Sequence, residues 1–495
     1  MAHFHSSTRT RSAPSPAAAA GSATARQPWT LLILMSVAQF MVVLDITVVN
    51  IALPSIGRAL RFAPADLQWV VSAYVLVTGG LTLLGGRASD LLGRRTMFLA
   101  GLGLFTAASL ASGLAPDAGT LIGTRAAQGL GAALLTPAAL AVITSAYAGA
   151  QRATALSVWG ALAAVGSAAG LLAGGAITTW LSWRWVFLIN VPVGVVAALF
   201  ARHLVPAAEH RAGGPAADPA GSRRQLDLAG ALLPVAGLGA ALYAITGAAQ
   251  YGWGSARTVT LLALAVLLLT AFVLVERRVA DPLVPPRVLR SRSLDIGALV
   301  MLTGTAALIG VLFLCSLYLQ TVLRASPIRA GLEFLPLMLM TGTGAHLAAR
   351  LLPRMGSRLL AATGLAAMAA GALLLSRLSG YAGGLLPAFA LIGAGAGLTF
   401  PSASVTAMHT VAHDEAGLAS GLVTTGHEVG AALGVAVFSA IGAATAGFTV
   451  TGAGSTGAYQ HVFAVGAAIT ACLAILAALT VPAVRPPAGT KVGMH

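Results

Sequence analysis

Fourteen apolar runs, each about the length that crosses a bilayer as a helix, leave this chain few ways to fold. They fall at roughly 29–53, 67–85, 96–115, 119–146, 154–178, 185–205, 227–248, 257–276, 295–320, 331–350, 358–378, 383–408, 417–446 and 461–483. Charged residues make up only 9% of the chain and mean hydropathy is +0.86, whereas soluble domains carry about 25% charge. Lipid is therefore the solvent expected for most of the 495 residues. Cys315 and Cys472 both lie inside apolar runs and read as small core hydrophobes rather than as a disulfide.

The runs repeat. Gly93, Arg95 and Gly101 fall on Gly356, Arg358 and Gly364 at a constant offset of 263 residues. At an offset of 264, Gly129, Gly131, Ala132 and Pro137 fall on Gly393, Gly395, Ala396 and Pro401, and Gly166 and Gly170 fall on Gly430 and Gly434. Shared register over three successive runs predicts two related halves, a plan common among carriers. The expected organisation is an N-terminal arm over 1–28, a six-helix bundle over 29–205, linkers with two additional helices over 206–294, a second six-helix bundle over 295–483, and a tail over 484–495. The arm is rich in Ala, Ser, Pro and Arg, reads as disordered and lacks the apolar core of a cleavable signal. Pro206–Arg224 reads as a polar tether between the halves, with a regulatory segment as the alternative.

Arginine and lysine set the orientation. With both termini inside, the cytoplasmic segments collect 21 of the 29 basic residues and the outer loops seven, with Arg125 left inside a span. The net charge of +15 is thus a topology signal, and nucleic acid is not an expected partner. The partners expected are the bilayer and a small-molecule substrate, with the chain working as a monomer in the cell membrane.

Four stretches carry a resemblance. Gly86–Arg95, set between the second and third runs, resembles the signature loop of the major facilitator superfamily, and Arg125-Ala-Ala-Gln128-Gly129-Leu-Gly131 resembles its helix-four motif. Leu44-Asp45-Ile-Thr-Val-Val-Asn50-Ile-Ala-Leu-Pro54 and Ser182-Trp-Arg-Trp-Val-Phe-Leu-Ile-Asn190-Val-Pro-Val-Gly194 are similar to motifs of its fourteen-span drug/proton antiporters, the EmrB/QacA type. The resemblance implies an all-α membrane fold, two pseudo-symmetric bundles plus two extra helices, with spans 1, 4, 9 and 12 around a central cavity. It also implies export of amphipathic or cationic drugs, antibiotics or secondary metabolites, driven by a proton gradient with no cofactor, metal or enzymatic chemistry. One position departs: Leu171 stands where the superfamily's antiporters carry a proline, within Gly166-Ser-Ala-Ala-Gly170-Leu171-Leu-Ala-Gly174-Gly175. Glycines at this spacing let a neighbouring helix approach closely, and loss of the proline removes a kink.

The ionisable residues inside the runs are the candidate machinery. A carboxylate in a span is costly, about 2.5–3.5 kcal/mol even on a lenient scale, so Asp45 needs a reason to be there. Asp45 and Arg125 both lie about 10 Å below the outer face, which makes an electrostatic partnership possible. In the resembled family these positions are linked to proton coupling; a structural carboxylate and a snorkelling arginine are the alternatives. Glu428, beside His427 and near mid-membrane, reads as a second proton site or a counter-charge for cationic substrate, with a protonated Glu bonded to His427 as the alternative. Gly86, Asp90, Gly93, Arg94 and Arg95 read as a gate, or as a solvated basic loop. Asn50, Gln128, Trp159 and His427 are expected along the substrate cavity, and Gly166, Gly170, Gly174 and Gly175 in helix packing. A proton-coupled importer of a small solute and a non-transporting sensor derived from a carrier share every composition signal.

Overall fold

The computed structural model describes residues 29–63, 66–205, 227–279, 282–284, 291–377, 384–411, 416–445, 448 and 455–485. The expected N-terminal arm, the 206–224 tether and most of the tail lie outside the described residues. Among the described residues the regular structure is helical throughout, as hydrocarbon demands when every backbone polar group must find a partner inside the protein.

The first bundle comprises α1 (Trp29–Ala59), α2 (Trp69–Leu92), α3 (Arg94–Gly113), α4 (Ala118–Ala146), α5 (Gly149–Trp180) and a final span made of α6 (Trp185–Leu188) and α7 (Asn190–Leu204). Two further helices follow, α8 (Leu228–Tyr251) and α9 (Ala256–Glu276). The second bundle comprises α10 (Arg292–Leu317, continued by a wider turn over Tyr318–Val322), α11 (Pro327–Glu333), α12 (Leu335–Leu375), α13 (Leu386–Met408), α14 (Ala416–Ala443) and α15 (Thr456–Thr480). The helical stretch Pro327–Leu375 is 49 residues long, far beyond one crossing. It breaks at Gly356, whose φ of 79° and ψ of 163° are not helical, and so supplies two spans. Fourteen spans result among the described residues.

The two halves are built alike. Gly93 (φ 94°) and Gly356 (φ 79°) both make the turn between the second and third spans of their bundles, a conformation that favours glycine. Two residues on, Arg95 donates from Nη2 to the carbonyl of Arg202 at the end of α7, and Arg358 donates from Nε to the carbonyl of Val481 just past α15, each at 2.5 Å. Each arginine thus ties the third span of its bundle to the negative end of the sixth. Gly129 lies against the carbonyl of Tyr74, and Gly393 against that of Leu337, its counterpart 263 residues on. This arginine-rich side is called the basic face below.

One detail differs from expectation: residues 86–92 continue α2, so the expected loop shrinks to Gly93 alone. Of the two additional helices, α8 lies along the seam where α2 meets α14, with Val235 against Gly80 and Leu76 against Gly239. At the other face, Asp117 caps α4 by accepting the Thr120 N–H at 2.9 Å, and that hydrogen bond holds its carboxyl below the usual value. Trp29, Trp180 and Trp185 are exposed at span ends, as interfacial aromatics are. Trp183 is buried instead, with the Arg184 guanidinium 4.6 Å from its ring centroid.

Backbone-to-backbone approach at the glycines is what sets the helix spacing. A Cβ on Gly131 would lie 2.6 Å from the backbone nitrogen of Phe105, whereas one on Gly103 would meet nothing within 4 Å. Gly131→Val should therefore destabilise the purified protein by about 1–3 kcal/mol, the usual penalty of overpacking. Gly103→Ala should leave thermal unfolding in detergent unchanged, so equal midpoints for the two variants would contradict this packing.

Candidate functional site

Asp45 sits inside the first bundle with no exposed surface, and so does Arg125. Their spans bring them to one level, and the Arg125 Nη1 donates to Asp45 Oδ2 at 2.5 Å. The other carboxylate oxygen accepts from Gln128 Nε2 at 2.8 Å and from Asn190 Nδ2 at 2.9 Å. Both amides also donate to the Ser109 hydroxyl, at 2.7 and 3.3 Å. One carboxylate thereby ties α1 to α4 and α7, with α3 joined through Ser109.

Arg125 is held as fully as its partner. Its Nε donates to the Val70 carbonyl at 2.9 Å and its Nη1 to Gln128 Oε1 at 2.7 Å. The guanidinium carbon stands 4.2 Å from the Tyr74 ring centroid and 5.7 Å from that of Phe187. A buried ion pair offsets its desolvation only when further hydrogen bonds support it, and here Arg125 Nε and Nη1 and both Asp45 oxygens are engaged. The cation also has neutral partners in Val70, Gln128 and Tyr74. The Tyr74 hydroxyl is buried without a hydrogen-bond partner among the described residues.

The remaining expected residues divide. Gln128 belongs to the ion-pair shell and is buried, not in the cavity. Asn50 is buried where the bundles meet, and its Nδ2 donates to the Ile46 carbonyl at 3.1 Å. Trp159 is buried in the core. None of the three faces open space in this state, and the cause is common: a polar or aromatic residue on a membrane helix finds partners on neighbouring helices. His427 keeps partial exposure, and its Nδ1 lies 3.0 Å from the Thr305 hydroxyl, with the Phe400 ring edge-on at 5.8 Å between centroids. It therefore does not hold Glu428. Glu428 is partly exposed, packs across the bundle interface on Gly79, and makes no hydrogen bond or ion pair with a described residue. Gln39 and Thr136, hydrogen-bonded at 3.2 Å, also keep partial exposure on the first bundle's side. Thr136 and Phe400 are repeat equivalents at the 264-residue offset.

The glycines sit where close approach is needed. Gly166 lies against Phe40 and Val43, Gly170 against Thr47 and the Leu44 carbonyl, and Gly174 against the Val48 backbone, so all three fit α5 to α1. Gly175 instead meets the backbone of Pro327 and Ile328 in the second bundle. Leu171, in place of the motif proline, turns its carbonyl onto Gly331. Of the expected gate, Asp90 and Arg94 are exposed and make no ion pair with a described residue, Gly86 lies beside Pro137, and Arg95 anchors α7 as above.

Sequence reasoning missed Ser109, Tyr74 and the role of Asn190. Asn190 carried a signal, being the one amide in the motif Ser182–Gly194. Ser109 carried none, because a serine in an apolar run satisfies itself equally well on a carbonyl one turn back.

A two-bundle membrane carrier with an ion pair sealed in one bundle is the class that this fold and site define. The sequence agrees: residues 35–435 match the family described as the Major Facilitator Superfamily, and the chain belongs to it. It is 45% identical over 423 residues to the puromycin resistance protein pur8 of Streptomyces alboniger, covering 84% of this chain and 82% of that one. It is 41% identical to the cephamycin export protein CmcT of Amycolatopsis lactamdurans, covering 86% of each, and 37% identical to the lincomycin resistance protein of Streptomyces lincolnensis, covering 85% and 86%. Among solved structures, a peptide transporter POT in complex with sulfate superposes with a TM-score of 0.66 at 16% identity, covering 90% of this chain and 93% of that one. At that identity the likeness concerns the fold.

Removing one partner of the pair should show its structural weight. Arg125→Met leaves a buried carboxylate uncompensated and is expected to destabilise by about 3–5 kcal/mol. The double variant Asp45→Asn/Arg125→Met should recover part of that loss, measured as retained monodisperse protein on heating; additive losses would contradict a coupled pair.

Proposed function

We propose that this protein exports an antibiotic or a similar amphipathic small molecule from the cell in exchange for protons, by alternating access of the two bundles. The observation that carries the reading is the sealed Asp45–Arg125 pair with its shell of Gln128, Asn190 and Ser109. An ionisable residue inside a membrane marks an ion pathway more often than a packing device, and this one binds helices that must shift against one another. Names given to the relatives, puromycin resistance, cephamycin export and lincomycin resistance, support drug efflux as the direction and cargo.

In this reading the basic face is cytoplasmic, both termini lie inside and the membrane is that of the cell, following the bias of basic residues. A proton reaching Asp45 from outside cancels its charge and weakens its hold on Arg125, while Val70, Gln128 and Tyr74 keep the guanidinium satisfied. α1 is then released from α4 and α7, and the outward-facing state gives up its cargo. Loss of the proton to the cytoplasm restores the pair. Each charge moved gains about 2.3 kcal/mol per 100 mV, so no cofactor is needed. Glu428, unpaired among the described residues and partly exposed between the bundles, supplies a counter-charge for cationic cargo. The carrier works as a monomer, without nucleic acid.

Dye or antibiotic efflux from a hypersensitive host tests this. Asp45→Asn is expected to insert normally and to lose efflux driven by a pH gradient; unchanged efflux would remove Asp45 from coupling. Glu428→Gln is expected to keep gradient-driven efflux of neutral substrates and to lose that of permanently charged cations. Equal loss of both would assign Glu428 to the proton instead.

A further inference from the structure

The face opposite the basic one is shut by contacts between the bundles, and one of them uses a carbonyl that a proline has set free. Pro54 lies inside α1 and has no N–H, so the carbonyl of Asn50, four residues back, lacks its helical donor. The Ser316 hydroxyl, from α10 of the other bundle, donates to that carbonyl at 2.8 Å. One turn along α10, Gln320 Nε2 donates to the carbonyl of Ile51 at 2.9 Å and to Ser316 Oγ at 3.2 Å. All of these groups are buried. Beside this seam α5 meets α11, where Gly175 and Gly331 admit the opposing backbone and the Ile328 N–H donates to Thr179 Oγ1 at 3.1 Å.

We propose that Ser316 and Gln320, donating to the backbone that Pro54 leaves open, form a latch that sets how often the outer face opens. They are positioning residues, acting on the balance between states rather than on cargo or proton. The latch is built to be marginal. It gains cross-bundle hydrogen bonds, yet the side-chain carbonyl oxygens of both Asn50 and Gln320 are buried without a partner among the described residues when it is shut. Water entering an opened face would satisfy those two acceptors, so opening returns part of what the broken bonds lose. Two opposing contributions of similar size give a face that does not stay locked. The latch also lies on the helix of the ion pair: Asn50 is five residues from Asp45, about 7.5 Å along α1. Movement of α1 that follows a change at Asp45 is thereby felt at the Asn50 carbonyl.

The inference rests on alternating access but not on proton coupling, and the test separates it from both. Leu53, fully buried on α1 beyond Asn50, is replaced by cysteine in a full-length chain whose Cys315 and Cys472 are alanine. The rate of labelling by a membrane-impermeant maleimide added outside is normalised to labelling after denaturation. Ser316→Ala is expected to raise the rate about three- to tenfold, the population shift that one lost hydrogen bond produces, while Ser316→Thr keeps the original rate. Pro54→Ala gives the Asn50 carbonyl a helical donor and should also raise it. The pair Pro54→Ala/Ser316→Ala should go no further than the larger single effect, because both act on one bond. An unchanged rate in Ser316→Ala, or single effects that multiply in the double variant, overturns the latch alone. No labelling in any variant overturns alternating access itself.

Discussion

Hydrocarbon leaves a charged side chain no solvent to fall back on, and Asp45 and Arg125 meet that constraint together. Side chains from four further helices keep the two satisfied. Asn190 and Gln128 fill one carboxylate oxygen, Ser109 holds both amides in place, and the Tyr74 ring and the Val70 carbonyl steady the cation. The helices can reach these positions only because Gly129 brings α4 to the α2 backbone, and Gly170 and Gly174 bring α5 to α1. A small change in the charge of one carboxyl group is thus felt on four spans at once.

The second bundle repeats the architecture without repeating the chemistry. Its glycine contacts, its positive-φ turn at Gly356 and its Arg358 anchor match those of the first bundle in kind and place. Where the first bundle seals an ion pair, the second keeps His427 within its own helices and sets Glu428 against Gly79 of the first bundle, both with partial exposure. α1 connects the two regions, carrying Asp45 in its middle and the Pro54-freed carbonyl near its end.

Much of this was legible in the residues. The repeat offsets located Gly93 and Gly356, and Arg95 and Arg358, as equivalents, because a backbone conformation or an anchoring charge needs a particular residue type. Equal depth in the membrane made a partnership of Asp45 with Arg125 possible. What stayed hidden depends on rotation about the helix axis. Whether Gln128 faces the cleft or the ion pair, or whether Asn50 lines a cavity or a seam, turns on about 100° per residue that no apolar run of this kind encodes. The low amphipathic contrast of these helices, apolar on the lipid side and small-residue apolar on the packed side, removes the usual clue. The extent of α2 was obscured for a different reason: polar residues past the bilayer edge end a hydropathy run without ending the helix.

The most direct measurement of the central claim is proton release on substrate binding. Purified carrier that is first acidified until the Asp45–Arg125 pair is broken, then mixed in weakly buffered detergent with an antibiotic it exports, should acidify the medium further as the pair re-forms and Asp45 gives up its proton. The Asp45→Asn variant should bind the same compound with no acidification. Equal proton release from both would place the exchanged proton elsewhere and contradict the account.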